Sequence, residues 1–172
     1  MTKESLLKGK RILIVDDEPD VLDTLEELLK GCLVTRASSF NAAREMLETE
    51  TFDLAILDIM GVDGYALLDI ANSKKIPAVM LTAHAFTPDN LLKSMKEGAA
   101  SYLPKEEMTG IAEFLIQLFE AREKDLSPWS PWEKKFPSSY FSTRFGAAWK
   151  SADKEFLDRL REVLKERNST NP

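Results

Sequence analysis

The chain has 172 residues, of which 44% are hydrophobic and 30% charged, and this composition is typical of a protein that folds around a buried core. Its net charge of −6 argues against binding nucleic acid through phosphate neutralisation. The apolar runs are too short to cross a bilayer, and the N-terminus lacks the apolar stretch of a signal peptide. We therefore expect a cytoplasmic protein that does not contact the membrane.

Residues 1–124 alternate short apolar runs with helical stretches, which is the pattern of β–α units that form a doubly wound parallel sheet. Pro19, Ser39 and Pro88 stand where helices begin, and a last helix is predicted at 110–123. The predicted class is α/β, with a flavodoxin-like sheet of strand order 2-1-3-4-5. Its five strands are predicted at residues 11–15, 32–37, 53–57, 78–81 and 101–103.

The sequence changes character after Lys124. Residues 125–149 contain three prolines and all three tryptophans, and 151–167 has the apolar stripe of an amphipathic helix. We divide the chain into a domain at 1–124 and an extension at 125–172. Because clustered tryptophans rarely remain exposed, we expect this extension to cover the domain, a second copy in a homodimer, or another protein.

Two further side chains are interpreted as structural. Cys32 is the only cysteine, so it cannot form a disulfide within the chain, and we expect it to be a small buried apolar residue. His84 is the only histidine and follows a predicted strand, where a surface or loop position is expected.

Polar and charged residues follow four of the five predicted strands. Asp16 and Asp17 come after the first strand, Asp58 after the third, Thr82 after the fourth and Lys105 after the fifth. The carboxyl ends of parallel strands share one edge of the sheet, where sites of α/β proteins form. Three carboxylates that converge there repel one another unless a cation is present, and a few carboxylate oxygens suit Mg²⁺.

This set of residues is suited to phosphoryl transfer. Asp58 could act as a nucleophile and become an aspartyl phosphate, with the ion neutralising charge on the phosphoryl group. Lys105 offers a positive charge and Thr82 a hydroxyl for the phosphoryl oxygens. Both contacts depend on the phosphoryl group, so its presence could shift the balance between two conformations.

The motifs ILIVDDEPD, LAILDIM, VMLTAH and GAASYLPK resemble those of two-component response-regulator receiver domains over about residues 9–124. The resemblance implies a Mg²⁺-dependent phosphoryl acceptor served by a sensor histidine kinase. In that family Asp17 and Asp58 would contact the metal directly and Asp16 through water, and the main-chain carbonyl of Met60 would complete the ligands.

The resemblance also implies a conformational switch. Thr82 would move toward the phosphoryl group, and the ring of Tyr102 would turn inward, which changes the face formed by the fourth helix, fifth strand and fifth helix. A plain core role for Tyr102 stays open.

Two positions depart from the family pattern. The segment DIMGVDG is two residues shorter than the usual Asp-x-Met-Met-Pro-x-x-Asp-Gly, so we expect a reshaped loop beside Asp58. Lys105 is followed by Glu106 where the family often has proline, and we expect a trans peptide bond there.

The leading functional hypothesis is a phosphorylation-controlled switch that binds a downstream protein and is not an enzyme with an external substrate. A second is a transcription regulator whose extension contributes to DNA binding. A third is a scaffold that works without phosphorylation because the shortened loop has disabled the site.

Overall fold

The computed structural model describes residues 3–83, 88–126 and Glu162. Residues 3–83 and 88–126 contain ten strands and α-helices in the order β1 Arg11–Val15, α1 Pro19–Leu28, β2 Leu33–Ala37, α2 Phe40–Thr49, β3 Leu54–Asp58, α3 Gly64–Ser73, β4 Ala78–Thr82, α4 Pro88–Lys96, β5 Ser101–Pro104 and α5 Ile111–Glu123. Short 3-10 helices precede β1 at Lys3–Leu6 and α5 at Lys105–Gly110.

The five strands form one parallel sheet in the order β2-β1-β3-β4-β5. Every residue of β3 and β4 is buried, as is every residue of β1 after Arg11. Burial on both faces requires continuous apolar sequence, and the runs in these strands supply it. The predicted fold class and strand order are confirmed.

Local sequence signals place several helix ends. Pro19 is the first residue of α1, where its missing N–H costs nothing. Ser39 caps α2, because its Oγ accepts a hydrogen bond from the backbone N–H of Ala42 at 3.2 Å. The apolar face of α5 is buried in the hydrophobic core, with Ile111, Phe114, Leu115 and Leu118 all inside.

The expectation that Cys32 is a small buried apolar residue was only partly correct. It is half-buried and contacts the edge of the core. Cys32 precedes β2, an edge strand whose first residue Leu33 is 60% exposed, so one side of this region lacks a covering strand.

Part of the sequence interpretation lies outside the described residues. This applies to His84 and to the predicted extension at 125–172, apart from Asp125, Leu126 and the helical residue Glu162. Within the described part of the chain, none of the helices has the length and apolar character needed to span a membrane.

Candidate functional site

The site lies at the carboxyl edge of the sheet, where four strands deliver polar groups. Asp16 directly follows β1, and Asp58 and Thr82 are the last residues of β3 and β4. Lys105 directly follows β5. Since β1, β3, β4 and β5 are consecutive neighbours in the sheet, their ends form one continuous edge.

Three carboxylates meet at this edge. Asp16, Asp17 and Asp58 each offer an oxygen, and these oxygens all lie within 4.8 Å of one another. Asp16 is fully buried and Asp58 is only 5% exposed, whereas Asp17 faces solvent. The cluster is therefore open on the side of Asp17 and closed beneath.

Lys105 is the cation of the site. Its Nζ lies 2.8 Å from Oδ2 of Asp16 and 3.4 Å from Oδ1 of Asp58. A third carboxylate, that of Glu18, lies 3.7 Å from the same nitrogen. The backbone N–H of Glu18 also donates to Oδ1 of Asp16 at 2.9 Å. Sequence reasoning missed Glu18, because its contact with Lys105 joins residues far apart in the chain.

The electrostatics of the cluster follow from burial and crowding. Burial, together with the charge of Asp16, raises the pKa of Asp58 from 3.8 to about 7, against the opposing effect of Lys105. Burial also raises the pKa of Asp16, and Lys105 only partly offsets it. Burial acts to lower the pKa of Lys105, but its contacts with Asp16 and Asp58 outweigh this, so that pKa is raised.

Gly61 and Gly64 let the loop after β3 lie close to the carboxylates. A Cβ on Gly61 would stand 2.5 Å from Oδ2 of Asp17, and its φ of +87° is one that other residues rarely adopt. A Cβ on Gly64 would stand 2.1 Å from the carbonyl oxygen of Asp58. Neither position has room for a side chain.

The two predicted switch residues are both buried. Thr82 is 1% exposed and Tyr102 fully buried, on the neighbouring strands β4 and β5. The Tyr102 ring therefore already lies inside the protein. Met60 stands two residues after Asp58 with its side chain 61% exposed.

The structure describes both positions at which the sequence departs from the family motif. The connection from β3 to α3 has only five residues, 59–63, and it includes a second left-handed residue, Asp63 with φ 52°. The described residues include no cis peptide bond, so the expected trans bond after Lys105 is confirmed.

Comparisons with known proteins agree with this geometry. The model of the response regulator receiver domain family matches residues 12–113, and the chain belongs to this family. It is similar to the two-component response regulator ARR18 of Arabidopsis thaliana, with 41% identity over 103 residues. It is also similar to ARR10 of the same plant, with 34% identity over 120 residues.

These relatives are much longer than the matched region. The match covers 56% of this chain and 16% of ARR18, and 63% of this chain and 22% of ARR10. Among solved structures, a CheY-like receiver domain protein from Methanospirillum hungatei JF-1 is similar with 28% identity and a TM-score of 0.62. That match covers 69% of this chain and 99% of that protein.

A second structural relative is a receiver domain protein from Clostridium thermocellum, with 30% identity and a TM-score of 0.54 over 67% of this chain and 97% of that one. Both structural matches take in nearly the whole of the relative. The receiver part of this chain is thus a complete response-regulator receiver fold, and receiver domains are signalling switches of two-component systems.

The residues present fit a divalent ion. Three oxygen donors lie within 4.8 Å of one another, Lys105 contacts two of these carboxylates, and burial raises the pKa values of Asp16 and Asp58. Hard oxygen donors with one solvent-open side match what Mg²⁺ prefers, because that ion keeps several of its waters.

Proposed function

We propose that this protein is a phosphorylation-controlled switch that accepts a phosphoryl group on Asp58 from a sensor histidine kinase. The observation that carries the proposal is the clustering of a buried acceptor carboxylate with two further carboxylates and a lysine 3.4 Å away. Because receiver domains signal rather than turn over metabolites, we do not assign the chain an external substrate.

The chemistry can be followed at Asp58. One carboxylate oxygen attacks phosphorus, the P–N bond of a kinase phosphohistidine breaks, and the electron pair leaves on the imidazole nitrogen. Bound Mg²⁺, held by Asp17, Asp58 and the Met60 carbonyl and by Asp16 through water, would neutralise charge on the phosphoryl oxygens. Asp58 must be ionised to attack, and a nearby cation favours that form.

Lys105 can also contact the phosphoryl group after its transfer to Asp58. In the unmodified protein its ammonium contacts Asp16 and Asp58. The aspartyl phosphate presents new anionic oxygens within the reach of that ammonium, and Thr82 can donate its hydroxyl to another. These contacts favour a conformation that the unmodified site does not, which is the condition for a shift in population.

We propose that output passes through a protein surface. Movement of Thr82 would alter the packing of Tyr102 on the adjacent strand, and with it the surface of α4, β5 and α5. A downstream protein or a second copy of the chain would read that change.

Intact-protein mass spectrometry tests the proposal. Wild type is incubated with acetyl phosphate and Mg²⁺, beside Asp58→Asn and an EDTA-treated sample. Asp69→Asn serves as the matched control, because Asp69 is an exposed carboxylate on α3 away from the site. We expect a phosphoryl gain in wild type and Asp69→Asn alone. No gain in wild type would reject Asp58 as an acceptor and favour the scaffold function.

A further inference from the structure

The connection from β3, which ends at the acceptor Asp58, to α3 is short and closely packed. Gly64, the first residue of α3, lies against the carbonyl oxygen of Asp58, where a Cβ would approach to 2.1 Å. Its N–H also donates to the carbonyl of Ile59 at 3.2 Å. The main chain at the acceptor is therefore in direct contact with the start of α3, and a displacement there must move the helix.

The next residue joins α3 to α4. The hydroxyl of Tyr65 lies 3.1 Å from the carbonyl oxygen of Asn90, 3.1 Å from Oδ1 of Asn90 and 3.1 Å from Oγ of Ser94. Both Asn90 oxygens can only accept, so the single phenol hydrogen is shared between them, and the phenol oxygen can accept from the Ser94 hydroxyl. The Lys93 ammonium stands 4.3 Å from the centre of the Tyr65 ring.

The contact between the hydroxyl groups of Tyr65 and Ser94 is largely buried. Ser94 is fully buried and Tyr65 half-buried, so the hydroxyl pair is shielded from competition with water. Loss of the Tyr65 hydroxyl would remove a hydrogen-bond partner of the buried Ser94 hydroxyl.

We propose that Tyr65 is a positioning residue that transmits the state of the acceptor site to α4 through α3. The route runs from the Asp58 carbonyl to Gly64, then to Tyr65, and from its hydroxyl to Asn90 and Ser94. It is separate from the path through Thr82 and Tyr102, and it rests on the proposed function because Asp58 provides its input.

Hydrogen–deuterium exchange of the α4 peptide tests the transmission. The measured quantity is the change in exchange when beryllofluoride, a phosphoryl mimic, is added with Mg²⁺. Tyr65→Phe keeps the ring and its contact with Lys93 and removes only the hydroxyl. The matched control is Asn72→Ala, which removes a different hydrogen bond, from Asn72 Nδ2 on α3 to the carbonyl of Glu97 directly after α4, at 2.7 Å.

In the unmodified protein, loss of the Tyr65 hydroxyl should speed α4 exchange about twofold to tenfold, as expected for one hydrogen bond. The decisive readout is the response to beryllofluoride. Wild type and Asn72→Ala should show a change in α4 exchange, and Tyr65→Phe should show little or none. A full response in Tyr65→Phe, or equal losses in both variants, would overturn the proposal.

Phosphoryl uptake from acetyl phosphate, followed by mass spectrometry, distinguishes failure of the transmission through Tyr65 from failure of the proposed function. Tyr65→Phe should gain the phosphoryl group as wild type does, because the hydroxyl touches neither the carboxylates nor Lys105. Uptake in wild type without an α4 response in any sample would reject the transmission and leave the proposed function intact. Absence of uptake in wild type would reject both.

Discussion

Replacing Asp58 by asparagine should make the protein more stable at neutral pH and less dependent on pH. The folded state raises the pKa of Asp58 from 3.8 to about 7. A carboxyl group whose pKa is raised by folding stabilises the fold fully below about pH 3.8, and this contribution is lost as the pH rises through about 7. Asparagine keeps the shape of the side chain and cannot ionise.

The size of the effect follows from the two pKa values. Their separation corresponds to at most about 4 kcal/mol, at 1.36 kcal/mol for each pH unit. Asp58 is only 5% exposed, so solvent screens this cost weakly. Between about pH 4 and pH 8 the free energy of unfolding of wild type should therefore fall relative to Asp58→Asn by an amount of this order.

Urea unfolding followed by circular dichroism, in EDTA and across this pH range, measures the difference. Asp69→Asn is the control and should follow wild type. Added Mg²⁺ should narrow the gap at high pH, since the ion binds the folded carboxylates and stabilises wild type by mass action. Parallel pH profiles for wild type and Asp58→Asn in EDTA would refute the assigned electrostatics.

Three further substitutions probe the site and the fold. Gly61→Ala would force Asp17 aside, because the new Cβ would stand 2.5 Å from its Oδ2, and Mg²⁺ affinity measured by calorimetry should fall about tenfold or more. Lys105→Met removes the ammonium that competes with the metal, so Mg²⁺ should bind about tenfold more tightly while phosphoryl uptake slows in mass time courses. Ser39→Ala loses the hydrogen bond from Ala42 and should cost about 1 kcal/mol in denaturant unfolding. An unchanged Mg²⁺ affinity would contradict the prediction for Gly61→Ala or for Lys105→Met. An unchanged denaturation midpoint would contradict the prediction for Ser39→Ala.

Four of the strands, β1, β3, β4 and β5, were predictable because burial on both faces leaves little choice of residue. β1 was predicted with the correct bounds, and each of the other four was within one residue at either end. The convergence of Asp16, Asp58, Thr82 and Lys105 followed from the same parallel arrangement, since strands of one direction present their carboxyl ends at one edge.

The third helix had no local signal of its own, and its bounds were not predicted. α3 begins at Gly64 after the left-handed residue Asp63, which makes no side-chain capping hydrogen bond. Its position is fixed by the contact of Gly64 with the Asp58 main chain, a tertiary effect that a sequence pattern does not carry.

The contacts of Glu18 and Tyr65 were missed for a related reason. The carboxylate of Glu18 reaches Lys105 across 87 positions of sequence, and the hydroxyl of Tyr65 reaches Asn90 across 25. Such long-range contacts depend on the distance between packed elements. Residue types alone do not determine that distance.

Among the described residues, the polar groups of the site come from strand ends and the connections beside them. The outward positions of the helices contribute none, and substitutions at exposed positions of this kind usually change stability by less than about 0.5 kcal/mol. Selection for a new partner can therefore act on the helix exteriors while the chemistry stays as it is. After gene duplication, a protein with this fold can acquire a new partner through single substitutions at surface positions. The intermediates keep the residues of the site throughout.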